Sequence, residues 1–367
     1  MVDPRLSKMA RVLVKYSLAL KQGDYFLINA SCLSAPLVLE VYREALKAGA
    51  NPEVVLWAEG TEEILLKSGS EEQLKFVSPV RLRAIESANA LLTIDGRSNT
   101  RALSNVDPNR MRIRSQGTAE INRIFMERMG RGELRWCGTL YPTEALAQEA
   151  SMSLSEYEDF VFRACFVDKD DPVGEWRNVH SAQERLISYL NGKQEIRVYT
   201  EGTDLRIRVN GRQWENCDGK VNFPDGEVFT SPVEDSVEGT IRFSFPGIYA
   251  NREVEDIRLT FEKGRVVKAS ASKGQDLLLA LLDTDEGSRY VGEFAIGTNY
   301  GIDRFTRHML FDEKIGGTVH LAIGDSLPMT GGKNRSSIHW DMLCDMRKGG
   351  EIYADGELFY KDGKILI

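Results

Sequence analysis

At 367 residues the chain is long enough for two or more domains, and 42% hydrophobic beside 28% charged residues fits a soluble protein with ample cores. A net charge of −8 without a long run of Lys or Arg disfavours a sequence-independent grip on nucleic acid. No apolar run approaches the ~18 residues of a membrane helix. Five scattered cysteines (Cys32, Cys137, Cys165, Cys217, Cys344) without a CxxC pair fit reduced thiols in a cytoplasm better than a disulfide framework.

The chain opens on Met-Val-Asp-Pro-Arg-Leu, the start of an amphipathic helix rather than a secretory leader, so a cytoplasmic protein is expected. Leu6, Met9, Val12, Leu13, Tyr16 and Leu20 recur at helical spacing over residues 5–22, and Gly23 stops that run. Tyr25 to Ala30 reads as a strand, Ala35 to Lys47 as a helix ended by Gly49, and Glu53 to Trp57 as a second strand. Strand, helix and strand in so short a span signal a parallel βαβ unit. The pattern continues with a helix over 80–87, a buried strand over 90–94, a long helix over 111–129 and a strand over 133–137. Helices follow over 143–150, 155–165 and, after the break at Asp170, Asp171 and Pro172, over 175–191. Residues 1–190 are therefore expected to form an α/β domain with a parallel sheet.

After Gly192 strands dominate. They are predicted at 195–200, 205–209, 240–244, 257–261, 266–270, 317–323, 351–354, 357–361 and 365–367, with one helix over 276–283. Glycine turns such as Asn210-Gly211 and Lys263-Gly264 join them. Residues 191–367 are expected to form a β-rich α+β domain that carries the chemistry.

The chemistry is signalled by His320 and by His339-Trp340-Asp341. The chain has only four histidines. On a strand, residues two apart share a face, so His339 and Asp341 would point together. Imidazole and carboxylate suit zinc, manganese, cobalt or iron. Glu227 follows a Pro224–Gly226 turn that would present it at a strand start. Glu293 stands among Val, Phe, Ala and Ile, where a carboxylate is costly unless paired or metal-bound. Singly, each reads as well as a hydrogen-bonded core His or a salt-bridged Glu. Together they are enough ligands for a two-metal site that activates a water.

These stretches resemble the aminopeptidase T family of metallopeptidases, which includes the aminopeptidases S. The marks are Tyr16-Ser17, Gly23-Asp24, Lys47 to Pro52 (KAGANP), Phe223 to Pro232 (FPDGEVFTSP), Gly292-Glu293, Phe311-Asp312-Glu313, His320 and the His339-Trp340-Asp341 triplet. The resemblance spans almost the whole chain. It implies a two-domain clamshell, a homodimer around an internal cavity, and removal of N-terminal residues from short peptides. It also implies two divalent ions, zinc first with cobalt, manganese or magnesium as alternatives. Glu227, Glu293, His320, His339 and Asp341 take the ligand positions. Glu293 is expected to contact the attacking water as bridging ligand or base, its apolar setting favouring proton uptake.

One position departs from the pattern. Seven residues after the first ligand histidine the family carries an active-site tyrosine, and this chain has Leu327, which can neither bind a metal nor donate a hydrogen bond. Tyr300, Tyr353 and Lys333 are the candidates to replace it. Two other readings follow: a mononuclear ring-opening dioxygenase using His320, His339 and Asp341, or a catalytically weak peptide-binding protein. His180 and His308 are expected to be bystanders. The Gly331–Arg335 loop lacks phosphate-loop spacing and is read as lining the cavity, with Lys333 or Arg335 meeting a substrate carboxylate or a dimer partner.

Overall fold

In the computed structural model, residues 3–249 and 252–367 are described, and the chain divides into two compact units. The first comprises Met1–Glu175 with Gly219–Pro224, and the second Trp176–Asp218 with Asp225–Ile367. The helix Pro172–Leu190, expected to close the first domain, passes into the second unit from Trp176 onward. The reason is packing: its Leu186, Ile187 and Leu190 belong to the same core as Ile196, Val198 and Leu205.

The first unit holds a five-stranded parallel sheet in the order Asn51–Trp57, Tyr25–Ser31, Ala90–Asp95, Arg135–Leu140, Asn222–Phe223. The first helix spans Pro4–Val12. The Asp3 side chain caps it by accepting from the Arg5 N–H, and a π-helical turn over Leu13–Ser17 ends it earlier than the periodicity predicts. Helices Thr61–Ser68 and Glu71–Lys75 were not anticipated; the second begins in a capping box between Ser70 and Gln73. Among the described residues no helix is long and apolar enough to cross a membrane.

The second unit packs two antiparallel sheets on one core. One has eight strands, running from Arg265–Ser270 at one edge to Lys364–Ile365 at the other. The other has five, in the order His339–Asp345, Thr318–Gly324, Val291–Gly297, Glu227–Thr230, Glu215–Cys217. Pleating sends alternate side chains to opposite faces. Val228, Phe294, Ile296, Val319, Leu321, Ile323, Trp340 and Met342 enter the core. The register then puts Glu227, Gly297, Ala295, Glu293, His320, Ala322, His339 and Asp341 on the other face. A β-bulge at Gly292 lets Val291 sit opposite the core residue Ile323 while Glu293 faces away from the core.

Candidate metal centre

Four neighbouring strands each bring part of this polar face. Asp341 lies opposite Ala322, which lies opposite Glu293; His320 lies opposite Ala295; Glu227 lies opposite Gly297. The residues between the polar side chains are thus Ala, Ala and Gly, which leaves room above the sheet. The turn before Glu227 is fixed by Gly226, whose φ of +129° and closeness to Asn299 (2.6 Å from a built Cβ to the Asn299 Cβ) admit no side chain. The Asn299 side-chain amide also donates to the Asp225 carbonyl at 2.7 Å.

The five side chains converge in two overlapping groups, Glu227–Glu293–His320 and Glu293–His339–Asp341, each with its ligand atoms within 4.8 Å of one another. Glu293 belongs to both. Its Oε1 lies 3.5 Å from His320 Nε2 and its Oε2 3.2 Å from His339 Nε2. His320 Nε2 also lies 3.4 Å from Glu227 Oε2, and His339 Nε2 3.6 Å from Asp341 Oδ1. His339 Nδ1 is 2.9 Å from the Asp325 carbonyl, a contact that orients the ring with Nε2 toward the carboxylates. His320 is 1% exposed, whereas the His339 side chain keeps 31%, so one side of the centre is sealed and the other open.

The surroundings pull the carboxylates in opposite directions. Burial pushes Glu227 up to about 8, against the pull of Lys314. Burial acts on Glu293 in the same direction, but hydrogen bonds from His320 and His339 outweigh it and hold Glu293 below the usual carboxylate range. The expected proton uptake thus falls on Glu227 rather than Glu293. The apolar neighbours of Glu293 in sequence project to the opposite face, and the histidines share its own. Burial opposes charge on both imidazoles, yet the carboxylates around them prevail, raising His320 to about 9 and His339 to about 11.

This field of buried negative charge suits cations. Glu227 Oε2 is buried without a hydrogen-bond partner, as is His320 Nδ1, and an ion beside Glu227 would satisfy the carboxylate oxygen. The donor set of two imidazoles and three carboxylates matches zinc and its borderline neighbours. The residues fit a metal centre.

A profile of the thermophilic metalloproteases of family M29 matches residues 2–365. The chain belongs to the M29 metalloprotease family. Its relatives include Aminopeptidase 2 of Geobacillus stearothermophilus, 30% identical over 99% of this chain and 95% of that protein. Aminopeptidase AmpS of Bacillus subtilis is 27% identical over 96% of each. Wild-type AmpT from Thermus thermophilus shares the fold with a TM-score of 0.86 at 24% identity, over 99% of each chain. The 2,5-dihydroxypyridine dioxygenase of Pseudomonas putida matches with a TM-score of 0.58 at 15% identity over 98% of this chain and 96% of that one, a likeness of fold.

In this M29 chain the candidates to replace the tyrosine are engaged elsewhere or turned outward. The Tyr300 hydroxyl donates to the Gly363 carbonyl at 2.9 Å, and that of Tyr353 to Glu351 at 2.5 Å. Lys333 is exposed, with its backbone N–H on Glu234. Leu327 is half-buried and caps the short 3₁₀ turn Pro328–Thr330. Arg335 pairs with Asp325 at 3.7 Å, the residue whose carbonyl meets His339. His180 pairs with Asp218 at 2.8 Å, and the His308 ring stands edge-on to Phe311.

The sequence reading missed Lys314. It is fully buried, with Nζ 3.6 Å from Glu227 Oε1 and 4.0 Å from Asp225 Oδ1, and it donates to Glu313. A signal was available in Phe-Asp-Glu-Lys-Ile at 311–315, three consecutive charged residues between apolar ones.

Proposed function

We propose that this chain is a metal-dependent aminopeptidase that releases N-terminal residues from short peptides. One divalent ion would be held by Glu227, Glu293 and His320, and a second by Glu293, His339 and Asp341. The observation that carries this reading is the position of Glu293, with one oxygen toward each histidine. Charge supports it as well. Asp225, Glu227 and Glu313 surround the ammonium of Lys314, and Glu293 and Asp341 adjoin Glu227 through the two histidine groups, so five carboxylates share one buried lysine. With the carboxylates ionised and the imidazoles neutral, the excess negative charge equals that of two divalent ions.

Bound cations of this kind polarise a carbonyl and make water acidic enough to attack at neutral pH. The protein supplies the rest. Glu293, with one oxygen toward each histidine, would be a ligand common to both ions rather than a base. Asp325 fixes the ring of His339 through its carbonyl. The partly exposed His339–Asp341 side is where substrate enters. Zinc is the first candidate, with cobalt, manganese or magnesium as alternatives. A mononuclear dioxygenase needs only His320, His339 and Asp341, and it leaves Glu293 between the two imidazoles without a purpose. A homodimer in the cytoplasm belongs to the same proposal, and sedimentation of the purified chain tests the dimer.

The deciding experiment is metal content per chain after reconstitution of chelated protein with zinc or cobalt, followed by assay on aminoacyl and short peptide substrates. Two ions per chain and release of free N-terminal residues are expected. One ion unaffected by Glu293→Gln would overturn the reading.

A further inference from the structure

A third group of ligand-type side chains adjoins the centre. Cys217, Asp225 and Glu227 offer atoms within 4.8 Å of one another. Cys217 lies opposite Glu227 on the edge strand of the same sheet, so both share the polar face. By donor chemistry alone this thiol and two carboxylates could take a soft or borderline cation. What separates this group from the other two is Lys314. Its ammonium lies within 4.0 Å of both carboxylates and is shut off from solvent.

The path by which Lys314 arrives is built into the fold. Residues 313–315 run beside the strand Val291–Gly297 at Gly297, where an added Cβ would stand 2.2 Å from the Ile315 carbonyl oxygen. The Asn299 N–H donates to the Lys314 carbonyl at 3.1 Å, and Asn299 forms a parallel bridge with Ile315. The backbone carrying Lys314 is thus tied to the strand that carries Glu293. Glu227 is divided between two partners: Oε1 faces Lys314 at 3.6 Å, and Oε2 faces His320 at 3.4 Å.

We propose that Lys314 is a positioning residue of the metal centre: its ammonium occupies the place of a third cation beside Cys217, Asp225 and Glu227, and it leaves Glu227 a single oxygen for the metal pair. An ammonium and a divalent ion on the same carboxylates repel one another strongly where little water screens them. The third group is therefore closed, Cys217 is not a ligand, and the number of ions is limited by a side chain of the protein itself. This inference rests on the metal-centre reading above and goes beyond it in assigning Lys314 and Cys217.

Cobalt(II) provides the test, because a thiolate ligand adds a charge-transfer band absent from oxygen and nitrogen coordination. The full chain, stripped and reloaded with cobalt, is expected to show no thiolate band, and Cys217→Ser is expected to leave both ion count and spectrum unchanged. Lys314→Ala is expected to gain one ion per chain together with the thiolate band, and adding Cys217→Ser to it is expected to remove the band. A thiolate band in the wild-type chain, or an ion lost on Cys217→Ser alone, would overturn the proposal. So would a folded Lys314→Ala protein with the wild-type count and spectrum. If Lys314→Ala does not fold, the Cys217→Ser protein with an intact lysine still decides, since loss of an ion there contradicts a closed third group and an unchanged count supports it. A wild-type count below two defeats the dinuclear reading separately, because the inference about Lys314 is judged by the gain in the variant and by the thiolate band.

Discussion

Glu293 is the side chain shared by both candidate ligand groups, and in the proposed centre both ions would depend on it. Glu293→Gln keeps the shape and removes the charge shared by two histidines. Retention of both ions is expected to fall by at least about 100-fold, the scale set by lesser changes around metal ligands, read by metal analysis after dialysis. Leu327→Tyr makes the opposite change: if the family tyrosine stabilises the tetrahedral intermediate, the rate is expected to rise by on the order of 10²-fold with metal content unchanged. A third residue gives a pH prediction. Asp285 accepts from the Ser337 N–H and hydroxyl and from the Ser336 hydroxyl, and these bonds lower it from its ordinary 3.8 to about 2. A carboxylate depressed by folding stabilises the fold fully above its unfolded value and loses that contribution as pH falls through its folded value. The contribution of Asp285 should therefore persist above about pH 4 and fade toward pH 2. Asp285→Asn should flatten the acid limb of the unfolding curve in that window. At this scale the sequence was informative where chemistry is local. His339 and Asp341 could be placed together from their spacing alone, whereas Lys314 met Glu227 only through a fold that brings residues 87 positions apart into contact.

Among the elements, the strand Val291–Gly297 is the one that most constrains the centre. All seven of its residues are buried, so the alternation that marks a half-exposed strand is missing and the reading saw only an apolar segment. The strand Thr318–Gly324 is equally buried, but it was legible from its run of β-branched and apolar residues after Gly317. The bulge at Gly292 was invisible too, because it exists only relative to a partner strand. Its position explains why Glu293 sits in an apolar sequence and in a polar place. The glycine at the other end makes a testable demand. Gly297→Ala would push a methyl group to within 2.2 Å of the Ile315 carbonyl oxygen. Moving that backbone should cost about 1–3 kcal/mol in stability, measured by urea unfolding, and should weaken metal retention with every ligand side chain intact.

Across the whole molecule, the five candidate ligands and Lys314 all lie in the second unit. Removing the ions should leave several buried carboxylates without counter-charges there, and binding partners stabilise the state they bind. Chelation is therefore expected to speed hydrogen exchange in strands 291–297, 318–324 and 339–345, and to leave strands 25–31 and 90–95 unchanged. Uniform acceleration across both units would contradict that placement. Helical and strand periodicity made the division into an α/β half and a β-rich half readable. The point of division was not readable, because the helix Pro172–Leu190 has the same periodicity whichever core receives it.

The excursion at Gly219–Pro224 bears on how the chain is made. The strand Asn222–Phe223 completes the parallel sheet: the Gly138 N–H donates to the Val221 carbonyl at 2.8 Å and the Thr139 hydroxyl to the Phe223 carbonyl at 2.6 Å. During synthesis the edge of strand Arg135–Leu140 must wait for more than eighty further residues to leave the ribosome before it is covered. Until then it presents unpaired backbone groups, the feature that invites strand addition from another chain. A gene fragment stopping near residue 190 would make that interval permanent, and its product is expected to accumulate in inclusion bodies. Supplying a segment equivalent to 219–224 in cis should restore a dispersed product, which makes the short return strand the piece to keep when this protein is cut into parts.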